Sequence, residues 1–345
     1  MMDEIMIRSF KSDLGFLDGA TLMITGGTGS FGKMLTRTLL DRANLNRLII
    51  FSRDELKQYE MEKSFSGHAK FESLRFFIGD VRDRNRLDMA LRGVDYVIHA
   101  AALKHVPIAE YNPFECIKTN IFGAQNLAEA AIWCGVKKII ALSTDKAASP
   151  INLYGASKLA SDKIFVAANS LGGSQDFSCS VVRYGNVLGS RGSVVPFFQR
   201  LVAEGSDHLP VTDMRMTRFW ITLRQGVDFV LSNLDMMQGG EIFIPKIPSM
   251  KISDMARSLA PGMEIREVGI RPGEKLHEQM ITRDDGRQTI ALEDRYIITP
   301  QFNFWTDDYY MDHQASRVAE DFDYASDTNT EWLDDARFQD LLKII

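Results

Sequence analysis

Cysteine is scarce in this chain: three in 345 residues, Cys116, Cys134 and Cys179. They are scattered among apolar neighbours, with neither the close spacing of a zinc site nor the density of a disulfide framework. No metal is expected, and the thiols read as buried and free. Reduced thiols point to a cytoplasmic setting. No stretch approaches the ~20 apolar residues of a membrane span, and the N-terminus has early acidic residues and no long apolar core, unlike a signal peptide. No membrane partner is expected. An excess of positive charge is also missing. A formal net charge of −6 offers no general field for nucleic acid, so any phosphate on a ligand has to be met by local features. Internal repeats and low-complexity tracts are absent. What remains, 45% hydrophobic and 25% charged residues, is ordinary globular composition, long enough for one large or two modest domains.

From about residue 20, short apolar runs alternate with helical patterns. Residues 21–24, 48–51, 74–78, 94–98, 138–142 and 180–184 read as strands; the segments to about Arg42, 55–65, 82–91, 113–134 and from Tyr154 onward read as helices. Strands without polar alternation, separated by helices, imply a parallel sheet covered on both faces. The fold class is α/β, a Rossmann-like doubly wound parallel sheet. After about residue 187 the pattern loosens into a smaller, interleaved C-terminal region suited to substrate binding. The expected organisation is an extension over 1–19, a nucleotide-binding domain over 20–190 with late elements from about 222–247, and a mainly substrate-binding region over 191–345.

The first strand runs into Thr25-Gly26-Gly27-Thr28-Gly29-Ser30-Phe31-Gly32, a G-x-x-G-x-x-G loop that opens a helix. Glycines allow a tight turn and a close backbone approach to a pyrophosphate, while the helix N-terminus supplies amides and a favourable dipole. Gly26, Thr28, Gly29, Ser30, Phe31 and Gly32 are therefore expected at a dinucleotide. The second strand ends in Ser52-Arg53-Asp54. Arg53 with Ser52 could fork onto a 2′-phosphate, which favours NADP; otherwise Asp54 is the ribose ligand or merely a helix cap. Asp80 and Val81 after the third strand would meet the adenine, and Ala100 and Ala101 after the fourth would let the cofactor lie close to the backbone.

The richest stretch is residues 143–158, Ser-Thr-Asp-Lys-Ala-Ala-Ser-Pro-Ile-Asn-Leu-Tyr-Gly-Ala-Ser-Lys. Tyr154 and Lys158 are four apart on a helix and share a face. A tyrosine titrates near ~10; a nearby ammonium and a cationic nicotinamide would both lower it towards a base that works at neutrality. Asp145 and Lys146, one loop upstream, add a second acid and base. That is more proton-transfer chemistry than alcohol oxidation needs. His99 and His105, at a strand end, read as packing residues.

In these motifs the sequence resembles the extended short-chain dehydrogenase/reductase superfamily, and within it the inverting UDP-N-acetylglucosamine 4,6-dehydratases that open pseudaminic acid biosynthesis. The likeness runs from residue 20 to about 300, through Gly-Gly-Thr-Gly-Ser-Phe-Gly at 26–32, Phe-Ser-Arg-Asp-Glu-Leu-Lys at 51–57, His-Ala-Ala-Ala-Leu-Lys-His-Val at 99–106, and the run at 143–150. It continues through Arg-Tyr-Gly-Asn-Val-Leu-Gly-Ser-Arg-Gly-Ser-Val-Val-Pro at 183–196 and Arg-Pro-Gly-Glu-Lys-Leu-His-Glu at 271–278. The first 19 residues match nothing recognisable. Retaining dehydratases carry Asp-Glu in place of Asp145-Lys146, and a related capsule-forming branch lacks the tyrosine found here as Tyr154. The resemblance implies a UDP-N-acetylglucosamine substrate, an NADP that ends each turnover as it began, and a homo-oligomer. It implies that Tyr154, with Lys158 and Thr144, serves the C4 hydroxyl. A neutral Lys146 would take the C5 proton, and a protonated Asp145 would serve the C6 hydroxyl. It also implies that Arg271 and Glu274 meet the diphosphate and the uridine ribose. Lys104, Asn186, Thr217 and Arg218 are expected near the sugar diphosphate, Lys104 also within reach of the cofactor. A nucleotide-sugar 4-epimerase would share fold, cofactor and Tyr/Lys pair but would have no use for Asp145-Lys146.

Overall fold

The structure, a computed structural model, describes residues 8–344 apart from 11, 174–175, 191 and 302–307. The first seven residues of the N-terminal extension and Arg191 of the 183–196 run lie outside the described residues. Six strands carry the nucleotide-binding pattern: β1 (Thr21–Thr25), β2 (Arg47–Ser52), β3 (Leu74–Ile78), β4 (Tyr96–His99), β5 (Lys138–Thr144) and β6 (Ser178–Tyr184). They pair in parallel in the order 3-2-1-4-5-6. The chain order reverses between β1 and β4, which opens a crevice at the carboxyl ends of the strands where such sheets bind ligands. Every residue of β1 is buried, as expected for a central strand covered on both faces.

The helices that matter for the site are α1 (Ser30–Arg42), α2 (Glu55–Phe65), α3 (Arg84–Ala90), α4 (Val106–Tyr111), α5 (Pro113–Ile117), α6 (Gly123–Cys134) and α7 (Leu153–Leu171). The single helix expected over 113–134 is instead α5 and α6 joined by a π turn over Lys118–Phe122. The wider turn leaves Thr119 and Asn120 buried, the local re-aiming of side chains for which π turns are known.

The sheet does not stop at residue 190. It continues beyond β6 through Ile242–Pro245, added in parallel, and then through Arg295–Ile298, Thr289–Ala291 and Ser316–Arg317, each antiparallel to its neighbour. Interleaving of the C-terminal region with the sheet therefore reaches well past 222–247. A separate apolar cluster, with Leu188, Val195, Phe198, Trp220, Met255 and Phe338 buried, sits under the remaining C-terminal elements. The N-terminal extension is anchored to the main core. Phe10 is buried edge-on against Phe229, ring centroids 4.7 Å apart, with the Arg295 guanidinium 5.8 Å above its ring. Leu14 and Leu17 are buried beside it, and Arg8 pairs with Glu331 at 2.9 Å.

Candidate active site

The crevice end of β5 runs from Thr144 into a single 3-10 turn, Asp145–Ala147. The Thr144 hydroxyl donates to Asp145 Oδ1 at 2.8 Å and accepts from the Lys146 amide at 3.4 Å, which holds the turn against the strand. Asn152 caps α7, its Oδ1 accepting from the Gly155 amide at 2.7 Å. Its Nδ2 donates to the Gly273 carbonyl at 2.7 Å, which fastens the 271–275 loop over the start of the helix. Gly155 lets the helix approach the turn. A Cβ there would land on the Lys146 carbonyl oxygen, deep inside contact distance, and 3.1 Å from Pro150 Cβ. Thr144, Asp145, Tyr154 and Lys158 are all buried, and Lys146 is partly exposed.

Lys146 sits between two carboxylates. Its Nζ lies 3.0 Å from Asp145 Oδ1 and 3.3 Å from Glu278 Oε1. Burial disfavours its charge, but the two carboxylates outweigh burial and raise its pKa above the usual lysine value. The two carboxylates thus favour the ammonium form of Lys146. Tyr154 is subject to opposing effects. Burial pushes the phenol up to about 12, and the charge of Lys146 and a hydrogen bond with Thr144 only partly oppose it. Lys158 is lowered by burial against the opposing charge of Asp162. One turn further along α7, Asp162 Oδ2 accepts from Ser143 Oγ at 2.9 Å and faces Arg183 at 3.3 Å. His99 accompanies these residues as a neutral packing group. Its Nδ1 lies 2.7 Å from Thr25 Oγ1, and burial and then the charge of Lys158 lower its pKa to about 3. His105 is exposed ahead of α4.

On the nucleotide side, Gly26 has φ +66°, and a Cβ there would lie 2.8–2.9 Å from the backbone of Ala100 and Ala101. The glycine loop therefore rests directly on the chain leaving β4, and only glycine meets both the left-handed backbone and the close approach. The N-cap of α1, Gly29, brings no side chain to the first amides of the helix, Ser30, Phe31 and Gly32 among them. An uncapped N-terminus at a glycine loop suits a pyrophosphate; the residues present fit a dinucleotide. Thr28 is buried in that loop. Asp54 caps α2 by accepting from the Lys57 amide at 3.0 Å, the helix-cap reading of that residue. Exposed Arg53 reaches Asp80 at 3.5 Å. Ser52 is buried, and its Oγ accepts from Gln58 Nε2 at 3.0 Å. Burial would raise Asp80, but hydrogen bonds from Arg82 and the charges of Arg82 and Arg53 win, and its pKa is lowered. Val81 turns its side chain inward, where a Cβ on Gly123 would come within 2.7 Å of it.

The residues expected at the sugar diphosphate divide. Asn186 lies in a short strand, Asn186–Val187, paired with Trp220–Ile221. Exposed Arg271 and part-buried Glu274 sit on the loop held by Asn152, with Glu274 Oε2 buried and without a hydrogen-bond partner. Lys104 is exposed as a residue, yet the surrounding protein desolvates its amine and lowers its pKa. Thr217 and Arg218 are tied to the 275–278 segment. Thr217 Oγ1 is 2.8 Å from His277 Nδ1 and 2.6 Å from Ser326 Oγ. The buried Arg218 guanidinium donates to the carbonyls of Thr217, Lys275 and Leu276 at 2.7–3.1 Å. Both secure the 275–278 segment, and Arg218 Nε also lies 3.7 Å from Glu278 Oε1.

Sequence reasoning missed Glu278, Asn120 and Asn152. Glu278 closes the 271–278 run, but only the tertiary contact shows it at Lys146. Asn120 Nδ2 donates to the Leu103 carbonyl at 2.9 Å and to Ser157 Oγ at 2.9 Å, while Oδ1 accepts from the Leu103 amide at 2.8 Å. It pins the post-β4 loop to α7, and its signal was a polar Thr-Asn pair inside an otherwise helical stretch. Among the described residues there is no His/Cys/Asp/Glu cluster that could hold a metal and no helix long and apolar enough to cross a membrane.

Residues 22–300 match the polysaccharide biosynthesis protein family. The chain belongs to this family. A relative from Campylobacter jejuni subsp. jejuni, a UDP-N-acetylglucosamine 4,6-dehydratase (inverting), is 56% identical over 94% of this chain and 98% of its own length. Another from Rickettsia canadensis, a UDP-glucose 4-epimerase, is 41% identical over 81% of this chain and 82% of its own. Among solved structures, Pen from Bacillus thuringiensis superposes with a TM-score of 0.87 at 35% identity, covering 95% of this chain and 98% of that one. The 3-2-1-4-5-6 sheet, the glycine loop and the Tyr-x-x-x-Lys helix place this member of the polysaccharide biosynthesis family among the extended short-chain dehydrogenase/reductases.

Proposed function

We propose that this chain is an inverting UDP-N-acetylglucosamine 4,6-dehydratase, using NADP and supplying a 6-deoxy-4-keto sugar nucleotide for pseudaminic acid formation. The observation that carries the reading is the Asp145–Lys146 pair, 3.0 Å apart, packed against the helix that bears Tyr154 and Lys158. The near full-length likeness to the inverting dehydratase supports it. Gly26, Thr28, Gly29 and the α1 amides would hold the pyrophosphate, Arg53 a 2′-phosphate, Asp80 and the Val81 backbone the adenine side, and Ala100, Ala101, Lys104, Tyr154 and Lys158 the nicotinamide half. When bound, the dinucleotide supplies a hydride acceptor for C4 that returns the hydride to C6.

The chain's own residues then divide the proton work. Tyr154 is a phenol at rest; a cationic ring nearby would favour its ionisation, with the proton released to solvent, and Thr144 would orient the phenolate to take the C4 hydroxyl proton. Lys158, buried and lowered, favours that phenolate by its charge. The resting ammonium–carboxylate pair becomes the neutral lysine and carboxylic acid that elimination needs by moving one proton from Lys146 Nζ to Asp145 Oδ1. The net charge of the site does not change. Lys146 then takes the C5 proton and Asp145 donates to the C6 hydroxyl, which leaves as water; a proton from solvent added to C5 on the opposite face inverts it.

A 4-epimerase is the second reading, favoured by the Rickettsia relative. Proton NMR of the product from UDP-N-acetylglucosamine decides between them. A C6 methyl doublet with L-arabino ring couplings is expected; its absence removes the dehydratase reading, and D-xylo couplings would make the enzyme retaining. For the cofactor, Arg53→Ala is expected to weaken NADP at least tenfold in calorimetry while leaving NAD unchanged. Wild-type protein that binds NAD as tightly as NADP refutes the assignment of Arg53.

A further inference from the structure

Glu278 is a carboxylate buried to 2% exposure at the edge of the site. Its backbone is clamped to Ser326 in both directions: its N–H donates to Ser326 Oγ at 2.9 Å and its carbonyl accepts from the Ser326 amide at 2.8 Å. The side chain is thereby aimed at the Asp145–Ala147 turn. Oε1 lies 3.3 Å from Lys146 Nζ and 3.7 Å from Arg218 Nε, whereas Oε2 is buried without a hydrogen-bond partner, as is Asp145 Oδ2. A buried carboxylate with an unmet oxygen is costly, so this one is not a casual surface charge. Lys146 is faced by Asp145 and Glu278 and, with opposite effect, by Arg218; Tyr154 and Lys275 also lie within reach of its charge. Two carboxylates thus face Lys146 and Arg218, with Lys275 beyond them, and Glu278 brings its negative charge from the C-terminal half of the chain.

We propose that Glu278 is a positioning residue that sets the location and protonation of Lys146, and through it controls elimination across C5 and C6 while leaving oxidation at C4 largely untouched. It rests on the reading of Lys146 as the elimination base. The proton shared between Lys146 and Asp145 is retained to high pH because Glu278 stabilises the ammonium. Take away that negative charge and the shared proton leaves at lower pH. The alkaline limb of the rate profile then moves down. C4 oxidation depends on Tyr154 and Lys158, which Glu278 reaches only indirectly, through the charge of Lys146 on Tyr154.

The test uses full-length Glu278→Gln and Glu278→Asp, each checked for fold by thermal melting, with UDP-N-acetylglucosamine as substrate. Three signals are read: C6 methyl formation by NMR, the pH profile of kcat, and the absorbance of reduced cofactor at ~340 nm on rapid mixing. For Glu278→Gln, methyl formation is expected to fall at least about tenfold, because Lys146 Nζ is no longer held in the position between Asp145 and Glu278 from which it would reach C5. Its alkaline limb should move down by at least about one pH unit, and reduced cofactor should accumulate because C4 oxidation outpaces elimination. Glu278→Asp, which keeps the charge but retracts it, should fall between the two. The proposal is overturned if whichever of these variants folds shows kcat within about twofold of wild type and an unmoved limb, or loses cofactor reduction in proportion to methyl formation. Lys146→Met separates the two layers. If it still forms product, the reading of Lys146 itself fails; if it is inactive in elimination while folded Glu278 variants behave as wild type, only the role of Glu278 fails.

Discussion

Gly155→Ala is the most telling perturbation of the site, because it adds one methyl group and removes no functional atom. The added Cβ would collide with the Lys146 carbonyl oxygen and would lie 3.1 Å from both the Lys146 carbonyl carbon and Pro150 Cβ. Those neighbours are main chain and a proline ring, so no flexible side chain can swing aside. Either α7 or the turn must withdraw by on the order of 1 Å, and the Asn152–Gly155 cap at 2.7 Å resists movement of the helix. Overpacking costs about 1–3 kcal/mol, while replacing glycine within a helix returns about 1 kcal/mol. The net loss of stability is therefore modest, about 0–2 kcal/mol. The effect on chemistry is larger. Separating Tyr154–Lys158 from Asp145–Lys146 by ~1 Å is expected to cost about 100-fold in kcat. Thermal melting and calorimetric cofactor binding should show a folded, cofactor-competent protein, and NMR of C6 methyl formation should show the lost turnover. A folded Gly155→Ala enzyme with kcat within about threefold of wild type would refute the claim that the close approach of helix and turn sets the chemistry.

Acid should weaken the fold through His99. Its pKa falls from the ordinary 6.5 to about 3 in the native protein, so between those values the unfolded chain binds the extra proton. Stability from this residue is complete above about pH 6.5 and is lost as pH falls towards 3, about 2 kcal/mol of it by pH 5. Denaturant titrations at pH 7 and pH 5 should show wild type losing that much more than His99→Phe, and equal losses would contradict the burial argument. Phe10→Ala should destabilise by about 3–5 kcal/mol in the same assay, since Phe10 packs on Phe229 and Arg295; a loss under about 1 kcal/mol would mean the N-terminal extension is not part of the core. Asn120→Ala leaves the Leu103 amide and carbonyl unmatched and should cost about 2–3 kcal/mol together with reduced turnover. Wild-type melting would show that water replaces the side chain.

Local pattern made much of this protein legible. Unalternating apolar runs located all six strands of the nucleotide-binding sheet within a few residues, because a strand buried on both faces must be apolar throughout. The glycine loop and the i,i+4 spacing of Tyr154 and Lys158 follow from backbone geometry and reach no further than one turn. The 113–134 helix was legible as helix but its π turn was not, since one extra residue in a turn leaves the apolar rhythm nearly unchanged. The late strands at 289–298 and 316–317 were illegible for another reason: short edge elements carry little periodicity, and sheet partners are chosen by long-range pairing.

The charge states show the same division more sharply. From the sequence alone came the residue types of the site and their order along the chain: a threonine, an aspartate and a lysine after β5, a tyrosine and a lysine on the next helix. Which charges those groups carry was decided only by the tertiary structure. The ammonium form of Lys146 is favoured by its neighbour Asp145 and, with it, by Glu278, which is 132 positions away in sequence but 3.3 Å away in space. The hydrogen bonds of Thr217 and Arg218 to the 275–278 segment and to Ser326 are likewise made only by the fold. Electrostatic interaction depends on distance and burial, and both are properties of the folded chain.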